Sequence, residues 1–149
     1  MKLMKNKKIL KFFFLFALLM LNLNCGFSLD AGIPYFIKGE IVTDVSCDYQ
    51  NAGFDFTFMN RADKTVKDFT VVFYVFDENG EPPLIGRNNI VFKIKQIVEG
   101  RSSLKSCVSL DDFIDYIPEG GLQTDFLYIS HITYEDDSNW SDPLGMKIF

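Results

Sequence analysis

The chain reads as an all-β protein: an antiparallel, immunoglobulin-like sandwich of about seven strands with one short helix, preceded by a signal peptide. Three observations predict it. Phe69 to Phe76, FTVVFYVF, consists wholly of β-branched and aromatic residues, which suit a packed pleated surface. Phe54-Asp55-Phe56-Thr57-Phe58 alternates apolar with polar, the period of a half-buried strand. Similar short runs recur between turn residues, with too little helical patterning for βαβ units.

The first thirty residues stand outside that domain. Lys2, Lys5, Lys7, Lys8 and Lys11 form a basic region ahead of an apolar run of 12 residues, Phe12 to Leu23. A bilayer-spanning helix takes about 20, so the run fits the apolar part of an export signal. A short anchor or a buried helix is the bland alternative. Two cleavage points stay open. Cys25, after Leu21-Asn22-Leu23-Asn24, resembles a lipobox, whose Cys becomes the lipidated first residue of a bacterial lipoprotein. Asn22 and Asn24 depart from the apolar and small residues expected there. The rival is cleavage after Ser28, with Gly26 and Ser28 at the two inspected positions. The expected organisation is therefore a signal peptide over 1–28 (1–24 in a lipoprotein), a linker over 29–35 and a sandwich over 36–149. The expected location is the periplasm or cell envelope.

Charge narrows the partners. The whole chain carries 15 basic and 20 acidic residues, net −5. Either cut removes five lysines and no acid, leaving 10 against 20, net −10. Such a surface repels nucleic-acid phosphates and anionic headgroups. No nucleic acid is expected, and a membrane only through a lipid anchor on Cys25. An envelope protein or a glycan remains.

Along the domain, Phe36 to Tyr49 reads as the first strand, with Ile41, Val45, Cys47 and Tyr49 on one face. Phe54 to Phe58 follows, and the polar Asn60–Lys64 loop is expected to join it to an antiparallel neighbour, Val66 to Phe76. That third strand is apolar on both faces: Phe69, Val71, Phe73 and Val75 on one, Val72, Tyr74 and Phe76 on the other. Cover on both sides is expected, hence a central position. Pro82-Pro83 blocks pairing before Ile90 to Val98 resumes alternation. Ser102 to Val108 is another strand. Ser109 as cap, Asp111 and Asp112 in a first turn, and Leu110, Phe113, Ile114 and Ile117 at helical spacing predict a short helix ending at Pro118. Thr124 to Tyr134 is a long strand, and Trp140 opens a shorter terminal segment.

Phe54 to Gly80, FDFTFMNRADKTVKDFTVVFYVFDENG, resembles the core hairpin of FxLYD-type and related small bacterial extracytoplasmic sandwiches. The matching positions are Asn60 in the polar turn and Phe76, Asp77 and Gly80 in the closing turn. Tyr134 to Trp140 is similar to the final hairpin of lipoprotein-like relatives. The resemblance implies a fold and an extracytoplasmic location, and it carries no catalytic residues.

Few residues point to chemistry. Either cut leaves Cys47 and Cys107 as a pair for a disulfide, although Cys107 lies opposite the Leu104/Val108 face; two ordinary thiols are the alternative. Composition allows a nucleophile pair of Cys107 with His131, the single histidine, but no orienting residue or family signature accompanies it, and a structural histidine is the plainer reading. Asp77, Asn79 and Glu81, and Glu135, Asp136, Asp137 and Asp142 near Trp140, are oxygen-rich turns that calcium favours, yet neither matches a twelve-residue calcium loop. Solvated turn acids explain them. No cofactor motif, metal set or catalytic set is recognised. The expected function is a non-enzymatic structural or protein-interaction module of the envelope. The alternative is a glycan- or calcium-binding module using the Trp140 loop.

Overall fold

A computed structural model describes residues 32–43, 49–83, 88–114 and 116–148; the leader, with Cys25, and Cys47 lie outside them. The described part is all-β. β1 (Tyr35–Val42), β2 (Gly53–Asn60) and β5 (Ser103–Ser109) form a three-stranded sheet in the order β1-β2-β5. β3 (Val66–Phe76), β4 (Asn89–Ile94), β6 (Gln123–Tyr134) and β7 (Asn139–Ser141) form a four-stranded sheet in the order β4-β3-β6-β7. Every pairing is antiparallel.

The core lies between the two sheets and is dominated by phenylalanine. Phe54, Phe56 and Phe58 of β2 point inward and are buried, as their alternation requires. They meet the inward set of β3, Phe69, Val71, Phe73 and Val75. Two ring stacks bridge the layers: Phe54 on Phe73 at 4.3 Å and Phe58 on Phe69 at 4.1 Å between centroids. Offset stacks of this kind add to the burial of the rings themselves. Gly39 of β1 is what lets the rings of β2 lie there, because a Cβ at that position would sit 2.5 Å from the Phe54 ring.

These stacks correct one expectation. β2 and β3 are not paired as a hairpin; they belong to different sheets and face each other across the core. The connection is an arch, pinned by the buried side chain of Asn60. Its amide nitrogen donates to the carbonyls of Lys64, Val98 and Glu99, and its oxygen accepts the Ala62 N–H. Polar groups so placed would be costly without those partners.

Two further expectations are revised. The first strand ends at Val42 rather than running to Tyr49, and 44–48 lie outside the described residues. The segment after β5 makes a single turn, in which the Leu110 carbonyl accepts from the Phe113 and Ile114 amides, and no helix. Leu110 and Ile114 are buried as the helical spacing implied. Asp111, however, accepts the amides of Gln50, Asn51 and Ala52 from the loop before β2. A short segment stopped by Pro118 has too few turns to resist that competing bond set. Among the described residues the one helical element is a 3-10 turn, Met146–Ile148.

Candidate functional site

The outward face of the four-stranded sheet is where the sequence pattern and the packing disagree. β3 is apolar on both sides, yet the described structure has no third layer to cover its second side. Val72, 6% exposed, is closed over, whereas Tyr74 and Phe76 are only half-buried. What reaches this face is the C-terminal segment. The Tyr128 hydroxyl donates to the Pro143 carbonyl at 3.3 Å. Gly145, at φ 65°, lies flat on the Tyr128 ring, where a Cβ would come within 3.1 Å of the ring carbons. The buried carboxylate of Asp142 holds the segment from behind by accepting the Met146 and Lys147 amides at 3.1 and 2.9 Å.

Between this segment and the sheet runs an apolar groove of about 510 Å³, lined by Tyr74, Phe76, Phe126, Tyr128, Leu144 and Met146. A second depression of about 460 Å³ continues beyond Tyr128 and Leu144 toward Val91 and His131. Large apolar side chains stand open here: Phe126 is 48% exposed, Leu144 75% and Met146 71%.

Phe126 owes its position to an irregularity. The β3–β6 register shifts between Val72 and Tyr74, so β6 accommodates one extra residue opposite β3. Phe126 takes up that slack at φ 49°, a backbone conformation that a bulky residue adopts only at a cost of order 1–2 kcal/mol. The strain turns its ring out beside Tyr74, edge to face at 5.8 Å. Glycine or asparagine would fit this backbone more easily. Sequence patterning missed Phe126 because a run that is apolar on both sides conceals a bulge.

The residues singled out from the sequence fall elsewhere. Trp140 lies in β7 and is half-buried; its ring meets Tyr35 at 5.4 Å, and its Nε1 donates to the Gly32 carbonyl. Lys147 lies over its ring at 5.0 Å. Cys107, on the three-stranded sheet, and His131, on the four-stranded one, are not brought together. Cys107 is disulfide-bonded, to a sulfur outside the described residues. The acidic turns use their carboxylates internally. Asp77 accepts the Asn79 and Glu81 amides, and the Glu81 amide above all holds its carboxyl below the usual range. Asp136 pairs with Lys64 at 2.7 Å and is held down to about 2. Among the described residues no three His, Cys, Asp or Glu side chains converge as a metal site.

The other sheet offers a smaller polar groove of about 320 Å³ between Lys38, Glu40, Asp55 and Lys105. Its Lys105 and Asp55 already face each other at 3.6 Å.

No protein-family model and no curated protein matches this chain. Two solved structures are similar to it. A hypothetical protein from Peptoclostridium difficile 630 superposes with a TM-score of 0.53 at 12% identity, over 74% of this chain and 87% of that one. Northeast Structural Genomics Consortium target SoR45 gives a TM-score of 0.42 at 13% identity, over 76% and 82%. The first likeness shows that the fold recurs, and it speaks of fold alone.

Proposed function

We propose that this protein is an exported, non-enzymatic interaction module of the cell envelope that receives its partner on the outer face of the four-stranded sheet. One observation carries the reading. A folded chain retains an open apolar groove, and a strained backbone at Phe126 is what turns an aromatic ring into it. Contiguous exposed apolar surface beside polar residues is typical of binding sites, and local strain persists where the surrounding structure enforces it.

The finer fold belongs to the same proposal. The sandwich is immunoglobulin-like, as the order β1-β2-β5 facing β4-β3-β6-β7 supports. In the constant-type order the fourth strand would lie beside the fifth; here it has changed sheets to pair with the third. The FxLYD-like resemblance fits an extracytoplasmic sandwich, with Asn60 at the turn between layers. Export is supported by the basic and apolar leader and by the disulfide at Cys107, a bond that persists in oxidising compartments. Cys47 is its proposed partner. A Cβ at Gly53 would lie 2.7 Å from the Tyr49 ring and 3.0 Å from the Cys107 sulfur, so the chain two residues beyond Cys47 passes close to Cys107. The N-terminus is either a lipidated Cys25 or Leu29.

A photo-crosslinking side chain placed at Phe126, and separately at Lys38 on the other sheet, tests the reading in the producing cell. Discrete adducts from position 126, abolished by Leu144→Asp, are expected. Adducts from position 38 alone, or none from either, would overturn it.

A further inference from the structure

The charges around the groove are unevenly compensated. Five ion pairs join described residues: Lys64 to Asp136, Lys67 to Asp137, Lys93 to Asp68, Arg101 to Asp63 and Lys105 to Asp55. None lies at the end of the sheet where β3 finishes and β6 begins. There the turn after Phe76 carries Asp77, Glu78 and Glu81, and Asp125 pairs in register with Tyr74 beside Phe126. Glu119 joins them, because Glu78 occupies the space that a side chain at the adjoining Gly120 would fill. Glu78, Glu81, Glu119 and Asp125 are all exposed, and no described cation is ion-paired with any of the five. Among the described residues, one mouth of the aromatic groove therefore carries a concentration of acids without an ion-paired cation.

We infer that the groove takes a basic, apolar-anchored polypeptide segment: aliphatic side chains lie against Phe126, Tyr128 and Leu144, and Lys or Arg side chains extend to the acidic mouth. The inference rests on the reading of this face as a binding surface and adds the chemistry of the partner. Apolar contact supplies area that is otherwise left in water. The acids supply attraction and orientation beside the half-buried rings of Tyr74 and Phe76. An acidic segment presenting the same apolar side chains would bring like charges together and be rejected.

The test uses the protein as its producing cell exports it, with fluorescence anisotropy of three short labelled peptides: alternating Lys and Leu, alternating Glu and Leu, and alternating Lys and Ser. The Lys/Leu peptide is expected to bind about tenfold or more tightly than either of the others, and to weaken as salt rises. Phe126→Gly, which relieves the backbone and removes the ring, should keep the melting temperature and lose that binding. The triple variant Glu78→Gln, Glu81→Gln, Asp125→Asn should bring the two Leu peptides to similar affinity. Equal binding of the Glu/Leu and Lys/Leu peptides to the unaltered protein would overturn the basic partner and leave the apolar docking face standing. Lys/Ser binding as tight as Lys/Leu would overturn the apolar anchor. Binding of none of them to protein shown folded by circular dichroism would overturn both readings.

Discussion

The Tyr35 hydroxyl accepts a hydrogen bond from the Ile129 amide at 3.0 Å, tying β1 of one sheet to β6 of the other through the core. Ile129 stands beside the register shift between Thr70 and Val71, where the β3–β6 ladder is interrupted. Burial of Tyr35 pushes its phenol up, so the hydroxyl stays protonated at ordinary pH. Tyr35→Phe keeps the ring against Trp140 and Phe58 but strands a buried N–H. A loss of about 1–3 kcal/mol is expected, read as a lower urea midpoint with an unchanged slope. An unchanged midpoint would mean that the bond contributes nothing.

Gly39 and Gly32 make a matched comparison. A Cβ at Gly39 would meet the Phe54 ring at 2.5 Å and the Asp55 carbonyl at 2.9 Å, whereas one at Gly32 would meet nothing within 4 Å. Gly39→Ala must push apart β1 and β2, at a cost of about 1–3 kcal/mol. Gly32→Ala should leave the melting temperature where it is. Equal melting of the two variants would show that β1 yields freely.

The two faces of β3 should respond differently to charge. Phe73 is fully buried against Phe54, and Phe73→Asp places an unpaired carboxylate there at a cost of several kcal/mol, comparable with the whole stability of a small domain. Loss of the cooperative melt is expected. Tyr74 is half-buried at the groove, so Tyr74→Asp should remain folded and lose the ring contact with Phe126, about 1 kcal/mol. A Tyr74→Asp variant that unfolds would show that the groove is closed in solution.

That contrast also measures what patterning can and cannot convey. Phe54, Phe56 and Phe58 announce an inward face because a strand covered on one side must alternate. Which sheet the strand joins is not written in its alternation. That choice depends on three-dimensional bonds such as those of Asn60, whose partners Val98 and Glu99 lie far along the chain. The two-sided pattern of β3 correctly marks a strand with neighbours on both edges. It overstates the cover over Tyr74 and Phe76, because among the described residues only a short C-terminal segment without periodicity, Pro143 to Met146, reaches them. Leu144 and Met146 thus give no signal in the sequence, and Phe126 is hidden within an apolar run. Asp142 looks like one more turn acid until its carboxylate is seen capping the 3-10 turn.

Acid should weaken the protein through its paired carboxylates. Asp136 titrates at about 2 in the folded chain, held there by the Lys64 hydrogen bond and then by Ser138, against about 3.9 for a free aspartate. The Gln50 and Asn51 amides lower Asp111 as well. A group whose folded value is depressed contributes stability above its unfolded value, and that contribution is lost as pH falls through the folded one. The melting temperature should therefore hold above about pH 4 and fall from there toward pH 2. Asp136→Asn should fall less steeply over that window; an identical slope would remove Asp136 from the account.

The central claim is that the outer face of the four-stranded sheet is the working surface, and backbone NMR titration with the Lys/Leu peptide tests it most directly. The account predicts amide shift changes confined to residues 74–81, 119–121, 125–128 and 144–147, while Lys38 to Glu40 and Ser103 to Ser109 stay fixed. Shifts concentrated on those latter two strands, or no shifts at saturating peptide, would contradict it.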